Sequence, residues 1–313
     1  MRVIVTGGAG FIGSHLVSRL IRLGHEVLVI DNFSTGIRSS ALQQLDVLEL
    51  DLSSPEFVNK LPKGDFDAIC HLAAQSAGSV SADNPLYDLQ ANAMSTLLLS
   101  RWCIEKGISR FLYASSMVTY GNTDKSPVSE DQLCLPRSYY GVSKLTSEHY
   151  LRLGALEGLK PTSFRMFSVY GPGQDLENVR QGMVSIYLSY MLRGVEVPVT
   201  GSFERFRDFI YIDDVVDAWI RALNLSSTPQ LVYNIGSGSG TTVRELLMLL
   251  LQTLDLSSDY PICEMTGSDN DQFGLYADIN NIRNDLDWVP NTDLSEGLRL
   301  MYEWAAKILE SNS

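Results

Sequence analysis

Tyr140 and Lys144 lie four residues apart in a stretch with helical character, so the sequence predicts a phenol and an ammonium group on one helix face. This pair could transfer protons, because a nearby positive charge favours phenolate and would lower the tyrosine pKa towards the range of a general base. Taken alone, the Tyr-x-x-x-Lys spacing is common and usually marks a solvated helix face. Residues upstream must decide between these two interpretations.

Ser115 and Ser116 come directly after a predicted strand at 111–114. Open parallel sheets bind their ligands at the carboxyl ends of the strands, so a serine at this point would lie where a reactant binds. Ser116 is therefore a second candidate for the site that Tyr140 and Lys144 would form.

A glycine-rich turn at 6–13 follows a predicted strand and opens a helical pattern. Gly7 would permit the tight turn, Gly10 would bring the backbone against a pyrophosphate, and Gly13 would let the helix pack close to the sheet. The sequence therefore predicts a dinucleotide site here, and a coincidental glycine-rich loop is the alternative.

Asp31 ends the second predicted strand, 18 residues after Gly13. A carboxylate there could accept hydrogen bonds from both ribose hydroxyls of an adenosine and would repel a 2′-phosphate, so NAD is favoured over NADP. The alternative is that Asp31 only caps the following turn, 32–36.

An oxidised nicotinamide near Tyr140 would add a second positive charge that favours phenolate.

A scaffold of alternating strands and helices has to position these residues. The predicted strands are 3–6, 26–30, 47–50, 68–72, 111–114 and 161–167, and the longer helical patterns are 84–106 and 139–157. This alternation is typical of an α/β fold, with a Rossmann doubly wound parallel sheet.

The regular alternation ends after Tyr170, where Gly171, Pro172 and Gly173 mark a break. We therefore expect an NAD-binding domain over 1–170 and a smaller, interleaved C-terminal substrate-binding lobe over most of 171–313. Segments at about 205–240 would return to the first domain. Within them, 208–219 and 231–235 are predicted to be sheet-associated pieces.

The composition excludes several classes of function. The chain has 313 residues and a net charge of −13, without a Lys/Arg-rich run, which argues against nucleic acid and anionic membranes as partners. Four widely spaced cysteines form no C-x-x-C pair, so we expect buried free thiols and no metal site. With no signal peptide or long apolar stretch in the sequence, we expect a cytoplasmic enzyme.

Motifs along nearly the whole chain, taken together, carry a family resemblance. They are 6–13, Asp31-Asn32, His71-Leu72-Ala73-Ala74, Ser115-Ser116, Tyr140-x-x-x-Lys144, 165–172 and 207–214. In this order they resemble the extended short-chain dehydrogenases/reductases that act on nucleotide sugars, the NAD-dependent nucleotide-sugar epimerase/dehydratase family, most closely UDP-glucose 4-epimerase-like enzymes.

The resemblance implies roles for the residues of the site. Tyr140 would be the acid/base, Lys144 would hold the nicotinamide ribose and tune Tyr140, and Ser116 would bond the reacting sugar hydroxyl. Asp51 and Leu52 would flank the adenine. The implied NAD-binding residues are Gly7, Gly10, Phe11, Ile12, Gly13, Asp31, Asn32, Asp51, Leu52, Ala73, Ala74, Asn92, Tyr140 and Lys144. Among these, Asn92 resembles a helix residue that steadies the active-site strand.

The implied substrate-binding residues are Ser116, Ser168, Arg205, Arg207, Asp271 and Leu275. Arg207 would meet the substrate diphosphate, or would form a surface ion pair with a carboxylate such as Asp208. Ser168 departs from the family pattern, in which an asparagine is frequent at this position. Arg205 would either compensate electrostatically for such losses or stack on Phe203 or Phe206.

The implied reaction is epimerisation at C4 of a nucleotide-diphosphate sugar through a transient 4-keto sugar, with NAD regenerated in each cycle. A nucleotide-sugar 4,6-dehydratase begins in the same way but needs a further acid and base after the serine, where this chain has Met117 and Val118. A keto-sugar reductase is a further alternative. A non-catalytic NAD-binding sensor is another, although such proteins typically lose the Tyr/Lys pair.

In some 4-epimerases a large aromatic residue restricts bulky 2-substituents on the sugar. The resemblance implies that Leu275 occupies this position. Acceptance of N-acetylated sugars is therefore expected, unless Leu275 is simply a core residue. Members of the family pair as dimers through a four-helix bundle, to which helices at 84–106 and 139–157 could contribute. A homodimer is accordingly expected.

Overall fold

Parallel strands and helices alternate along the first half of the chain, as the sequence predicts. The structure is a computed structural model that describes residues 1–36, 45–123, 125–178, 182–267 and 273–312. Its strands are β1 (Arg2–Thr6), β2 (Glu26–Asp31), β3 (Asp46–Glu49), β4 (Ala68–His71), β5 (Arg110–Ser116), β6 (Lys160–Met166), β7 (Ser168–Tyr170), β8 (Val197–Thr200), β9 (Phe206–Arg207), β10 (Phe209–Tyr211), β11 (Val232–Ile235), β12 (Thr241–Thr242) and β13 (Ile262–Met265).

The helices connect these strands and cover the sheet. They are α1 (Phe11–Arg22), α2 (Gly78–Asp83), α3 (Pro85–Leu89), α4 (Ser95–Lys106), α5 (Tyr139–Leu156), α6 (Met183–Leu192), α7 (Ile212–Leu223), α8 (Val243–Thr253), α9 (Asn280–Leu286) and α10 (Leu294–Asn312). A π-helical segment, Gln90–Met94, joins α3 to α4, and short 3-10 helices lie at Pro55–Lys60 and Met117–Thr119.

Seven parallel strands form the central sheet in the order β11-β6-β5-β4-β1-β2-β3. The direction in which strands are added reverses between β1 and β4, and such a switch point opens a crevice at the carboxyl ends of the strands. In the register of the sheet, Thr6 of β1 lies between Ile30 of β2 and His71 of β4. The predicted Rossmann doubly wound sheet is confirmed.

Both faces of this sheet are buried, and β1 shows why. Val3 and Val5 point into one hydrophobic cluster while Ile4 points into the other, because successive side chains of a strand face opposite sides. A sheet covered on both faces needs strands that are apolar throughout, which is how the sequence of β1 reads.

Two predictions about secondary structure need correction. The stretch 208–219 is not sheet-associated throughout, because only Phe209–Tyr211 is a strand, which pairs with β7 outside the central sheet, and α7 begins at Ile212. The helical pattern at 84–106 is not one helix, because the segment Gln90–Met94 interrupts it. In contrast, 231–235 contains β11, which pairs with β6 at the edge of the central sheet.

The cysteines match the expectation of buried thiols in part. Cys70 and Cys103 are buried, whereas Cys134 and Cys263 are partly exposed. Across the described residues, no group of three or more His, Cys, Asp or Glu side chains is arranged to hold a metal ion. In the same part of the chain, no helix has both the length and the apolar character to span a membrane.

Candidate active site

The glycine-rich turn between β1 and α1 has no room for side chains. Gly7 has a φ of +70°, and a Cβ atom there would lie 2.6 Å from the backbone nitrogen of Ala73. A Cβ atom at Gly13 would overlap the carbonyl oxygen of Gly7. The surface of this turn, which we call the glycine cradle, is therefore formed by its own backbone. Gly10 is the N-cap residue of α1 and makes no side-chain capping bond. The amide groups and dipole of the first helical turn suit a bound pyrophosphate.

The first two residues of α1 are partly buried, and their neighbours link the turn to a later loop. Phe11 packs edge-on against His15, with ring centroids 5.9 Å apart. The Nε2 atom of His15 donates to the carbonyl oxygen of Pro172 at 2.8 Å. Ile12 packs against the same core cluster as Phe11.

Asp31 lies at the carboxyl end of β2 beside the cradle and is buried. One carboxylate oxygen accepts from the Ala9 amide at 2.9 Å, and the other accepts from the Phe33 amide at 2.8 Å. The contact with Phe33 shows that Asp31 does cap the following turn, which is the alternative to ribose binding. Each carboxylate oxygen nevertheless retains lone pairs that could accept from a ribose hydroxyl. Asn32 is partly buried, and its side chain accepts from the Ser34 amide at 3.0 Å.

The other residues assigned to NAD lie after β3 and β4. Asp51 is exposed and accepts from the Ser53 amide at 2.9 Å, whereas Leu52 is buried in the core. Ala73 and Ala74 are partly buried after β4, and the Ala73 amide donates to the Thr6 hydroxyl at 3.2 Å. This bond fastens the loop after β4 to the glycine turn.

His71, the first residue of the motif His71-Leu72-Ala73-Ala74, is buried and belongs to the same connection. Its Nδ1 atom hydrogen-bonds the Thr6 hydroxyl at 2.7 Å, and its Nε2 atom lies 3.2 Å from the Thr96 hydroxyl. Burial, together with the positive charge of Lys144, lowers the pKa of His71 to about 3. His71 is therefore a neutral hydrogen-bonding link at physiological pH.

Ser116, Tyr140 and Lys144 come together at the carboxyl end of β5. The Ser116 hydroxyl lies close enough to the Tyr140 phenol to lower its pKa, and Ser116 also caps the short 3-10 helix that follows it. Lys144 is buried, and its Nζ donates to the carbonyl oxygen of Ala114 at 2.8 Å. The solvated helix face that is the alternative for Tyr140 and Lys144 is therefore wrong.

The protein's own groups do not lower the Tyr140 pKa as the sequence predicts. Burial raises the pKa of Tyr140 to about 12; the hydrogen bond from Ser116 lowers it, and the charge of Asp88 raises it further. Lys144 Nζ lies 4.9 Å from the centroid of the Tyr113 ring and 5.7 Å from that of Tyr140, and its hydrogen bond goes to the Ala114 carbonyl oxygen. Ionisation of Tyr140 near neutrality must draw on a further positive charge.

Lys144 is itself perturbed by its surroundings. Burial lowers the pKa of Lys144 to about 7, while the carboxylates of Asp88 and Glu148 raise it. The ammonium group is thus close to losing its proton at neutral pH, and its charge depends on the buried acids around it.

Asn92 lies in the π-helical segment and is almost completely buried. Its side-chain oxygen accepts from the Gln75 amide, and its Nδ2 donates to the Gln75 carbonyl oxygen, both at 3.0 Å. Nδ2 also donates to Asp88 at 3.0 Å. Asn92 thus holds the loop after β4, and the structure gives its amide these partners within the protein.

Several buried polar residues that hydrogen-bond groups around the site were not predicted from the sequence. Asp88 accepts from the Ser143 hydroxyl at 2.5 Å, and Glu148 accepts from the Ser115 hydroxyl at 2.5 Å. Arg165 of β6 makes two hydrogen bonds to Glu148, at 2.7 and 3.0 Å. Their spacing could have indicated them, because Asp88 precedes Asn92 by four residues and Glu148 follows Lys144 by four, and residues four apart share a helix face.

Ser168 and Arg207 lie on two different two-stranded sheets, because Ser168 belongs to β7, which pairs with β10, and Arg207 belongs to β9, which pairs with β12. The Ser168 amide donates to the carbonyl oxygen of Asp208, and Arg207 donates to the carbonyl oxygen of Phe273 at 3.2 Å. The Asp208 carboxylate is fully buried and accepts from Ser237, Gly238 and Ala277. Asp208 is therefore held by donors in the interior, and it does not form the surface ion pair that is the alternative role of Arg207.

Two further residues assigned to the substrate are buried. Arg205 packs against Gly201 and donates to the carbonyl oxygen of Thr200. The cation that lies over the Phe203 ring is that of Arg244, 5.1 Å from the ring centroid, and not that of Arg205. Leu275 has no exposed surface and belongs to the main hydrophobic core, which is the alternative given for it. Asp271 lies outside the described residues.

The fold and the site together define a class of protein. The glycine cradle follows β1, and the acidic residue Asp31 ends β2. The loop after β4 lies between these residues and a second group, which consists of a serine at the end of β5 and a tyrosine and a lysine on α5. This is the arrangement of a dinucleotide-dependent enzyme of the short-chain dehydrogenase/reductase type, in which a cofactor carries hydride and the protein carries protons.

Comparison with known proteins gives the family. Residues 3–236 match the NAD dependent epimerase/dehydratase family, and the chain belongs to this family. UDP-glucose 4-epimerase of Mycolicibacterium smegmatis is 31% identical, over 97% of this chain and 98% of that protein.

Two solved structures are similar over the full length. UDP-glucose 4-epimerase from Thermotoga maritima, solved with UDP-glucose, has a TM-score of 0.91 at 35% identity and covers 99% of this chain and 100% of its own. UDP-N-acetylglucosamine 4-epimerase from Methanobrevibacter ruminantium, in complex with UDP-N-acetylmuramic acid, has a TM-score of 0.89 at 30% identity and covers 98% of each chain.

Proposed function

We propose that this protein is an NAD-dependent epimerase that inverts C4 of a UDP-sugar. The single observation that carries the proposal is the placement of Ser116, at the end of β5, beside Tyr140 and the buried Lys144 of α5, whose Nζ donates to the Ala114 carbonyl oxygen of the same strand. Relatives with the same overall structure are named as UDP-sugar 4-epimerases, and the family is NAD-dependent.

The residues present fit NAD. Gly7 and Gly13 let the backbone of the turn pack closely at the start of α1, where the helix N-terminus would bind a pyrophosphate, and Asp31 would accept from the adenosine ribose. Lys144 would donate to the nicotinamide ribose with the ammonium hydrogens that Ala114 does not take. When bound, the cofactor supplies hydride acceptance and return, together with the positive charge of its oxidised ring.

The protein's side chains would manage the proton and the orientation of the sugar. Tyr140, as phenolate, takes the proton of the C4 hydroxyl and returns it at the end of the cycle. Ser116 donates a hydrogen bond to the oxygen at C4, which keeps that oxygen next to the phenol. The protein must hold the nucleotide firmly and the sugar loosely, because the keto sugar has to present its other face before reduction.

Elimination of water is not favoured by the residues after the serine. Met117 and Val118 lie in the short 3-10 helix that begins next to Ser116, and neither side chain can exchange a proton. A 4,6-dehydratase would need an acid and a base at this place, so the site supports epimerisation and not dehydration. A sensor role is disfavoured because Ser116, Tyr140 and Lys144 lie together, as catalysis requires.

The finer identity of the substrate rests on the lobe beyond β6. We assign NAD binding to 1–170 with returning segments at about 205–240, and substrate binding mainly to 171–313, with Arg207 on the diphosphate. Leu275 is fully buried in the hydrophobic core, so any effect it has on the acceptance of N-acetylated sugars would be indirect. Both UDP-glucose and UDP-N-acetylglucosamine belong in the substrate panel.

We also propose a homodimer formed by α3 and α5. Apolar side chains on these helices are strongly exposed for a protein of this kind: Leu86, Leu89, Val142, Leu153 and Leu156. Light scattering on the purified protein should give twice the chain mass, and Leu153→Glu should shift it towards one chain. A monomer for the unmodified protein would contradict this assignment.

The decisive experiment uses the purified protein without added cofactor. UDP-glucose, UDP-N-acetylglucosamine and other nucleotide sugars are incubated with it, and the anomeric proton signals are followed by NMR. Formation of the C4 epimer, with NAD released on denaturation, supports the proposal. Stoichiometric consumption of NADPH with a keto sugar would identify a reductase, and loss of water would identify a dehydratase.

A further inference from the structure

Asp88 is a fully buried carboxylate that the proposed mechanism does not use. It lies on α3, whereas Ser116 ends β5 and Tyr140 and Lys144 lie on α5. The Ser143 hydroxyl donates to one of its oxygens at 2.5 Å, and Asn92 Nδ2 donates to the other at 3.0 Å. Both donors are neutral, so they fix the position of the carboxylate without cancelling its charge.

Ser143 connects Asp88 with the catalytic helix. It immediately precedes Lys144, whose buried Nζ has a neutral carbonyl oxygen, that of Ala114, as its hydrogen-bond acceptor at 2.8 Å. A buried ammonium and a buried carboxylate thus lie on adjoining elements, each hydrogen-bonded to neutral groups. Unpaired charges are costly in the interior, so each lowers the cost of burying the other.

The remaining groups that face Lys144 do not provide the same compensation. Glu148 also raises the pKa of Lys144, but it accepts two hydrogen bonds from Arg165 and one from Ser115, so its negative charge is already paired with a guanidinium. His71 of β4 is neutral at physiological pH, and Tyr113 and Tyr140 present neutral rings to the ammonium. Asp88 is therefore the uncompensated negative charge among these neighbours.

The field of Asp88 acts on both catalytic groups. It raises the pKa of Lys144, which burial lowers to about 7, and it raises the pKa of Tyr140. Without the Asp88 carboxylate, Lys144 would lose its proton at a lower pH. A neutral Lys144 no longer favours phenolate at Tyr140, so the pH range over which the enzyme is active would end at a lower pH on its alkaline side.

We propose that Asp88 is a positioning residue for the epimerase reaction: it is the buried counter-charge, fixed by Ser143 and Asn92, that retains the proton on the Lys144 ammonium. This inference rests on the proposed function for its kinetic consequence, but the pairing of the two charges is a property of the folded chain alone.

The kinetic test compares the pH dependence of kcat/KM for the unmodified enzyme, Asp88→Asn and Asp88→Glu. Asp88→Asn removes the charge at nearly constant shape, and both limbs of the profile should move to lower pH, the alkaline limb by about one unit or more. Asp88→Glu and Ser143→Ala keep a carboxylate at the site, so their limbs should stay in place even where kcat falls. Coincident limbs for Asp88→Asn and the unmodified enzyme would overturn the proposal.

A second measurement needs no substrate and covers the case in which Asp88→Asn folds poorly. Urea unfolding is measured for Asp88→Asn, Lys144→Met and the double variant. If the charges compensate each other, the double variant should unfold at a higher urea concentration than the sum of the single effects implies, and it should fold even where Asp88→Asn does not. Additive losses would refute the counter-charge role, whereas an enzyme that turns over no nucleotide sugar would refute only the proposed function.

Discussion

The Lys144 nitrogen lies 5.7 Å from the centroid of the Tyr140 ring, one turn further along the same helix. The Ser116 hydroxyl, in contrast, lowers the pKa of that phenol. Serine and lysine thus act on Tyr140 in different ways, the one on the ionisation of its hydroxyl and the other through a charge beside its ring. This division makes separate predictions for each group.

Removing the phenol should remove catalysis and leave the cofactor site intact. We expect Tyr140→Phe to lower kcat about 10²- to 10⁴-fold, the range for loss of a general acid/base. NAD content, measured after denaturation, should be unchanged because the cradle does not involve the phenol oxygen. The neighbouring Tyr139, which is exposed, supplies the control: Tyr139→Phe should retain activity. Full activity of Tyr140→Phe would remove the phenol from the mechanism.

The ionisation of Tyr140 should depend on the cofactor. Its pKa of about 12 lies above the ordinary value of 10, so with the protein's own groups the phenol keeps its proton up to that pH. The unfolded chain ionises earlier, and stability from this group should therefore be lost as pH rises from 10 towards 12. The phenolate absorbance of the unmodified protein minus that of Tyr140→Phe should show its step near pH 12 without NAD and at lower pH with NAD. A step near neutrality in both cases would contradict this.

His71 should make the fold sensitive to acid. Its folded pKa of about 3 lies below the ordinary value of 6.5, so between these limits the unfolded chain binds a proton that the folded chain does not. The free energy of unfolding should fall by about 1.4 kcal/mol for each pH unit below 6.5 on account of this residue. His71→Gln should flatten that slope, whereas His149→Gln, at an exposed position, should leave it unchanged. Equal slopes in urea titrations of all three proteins would argue against the effect.

The ion pair between Glu148 and Arg165 should matter far more for stability than one on the surface. Both of its side chains are buried, and Glu148→Gln would leave the guanidinium without its negative partner. We expect a loss of about 3–5 kcal/mol in the free energy of unfolding. Glu157, paired with Arg101 at 2.5 Å on the surface, is the control, and Glu157→Gln should cost about 1 kcal/mol or less. Similar losses for the two variants would contradict the argument.

Asp31→Asn should distinguish the two roles of that carboxylate. The amide can still cap the turn at Phe33 but carries no charge for the ribose hydroxyls. Hydrogen bonds to a charged group contribute about 1.5–3 kcal/mol, so NAD affinity should fall about tenfold or more, while NADP should bind better. Calorimetric titration of both dinucleotides measures this, with the unfolding midpoint as the check on folding. Unchanged NAD affinity would leave Asp31 with the capping role alone.

The sequence by itself determined the features that depend on local periodicity. Residues four apart on a helix share a face, so Tyr140 and Lys144 were placed together correctly, and the β-branched runs predicted the strands of the central sheet to within two residues. The glycines of the opening turn were likewise legible, because no side chain fits where Gly7 meets Ala73.

Tertiary structure decided what depends on burial and on charges distant in the chain. The Tyr140 pKa was expected to fall, yet desolvation and Asp88, 52 residues earlier, raise it. The placement of Leu275 in the core depends in the same way on neighbours that the sequence does not bring together. Spacing fixes which side chains share a face, but the free energy of a charge depends on how much water the whole fold removes from around it.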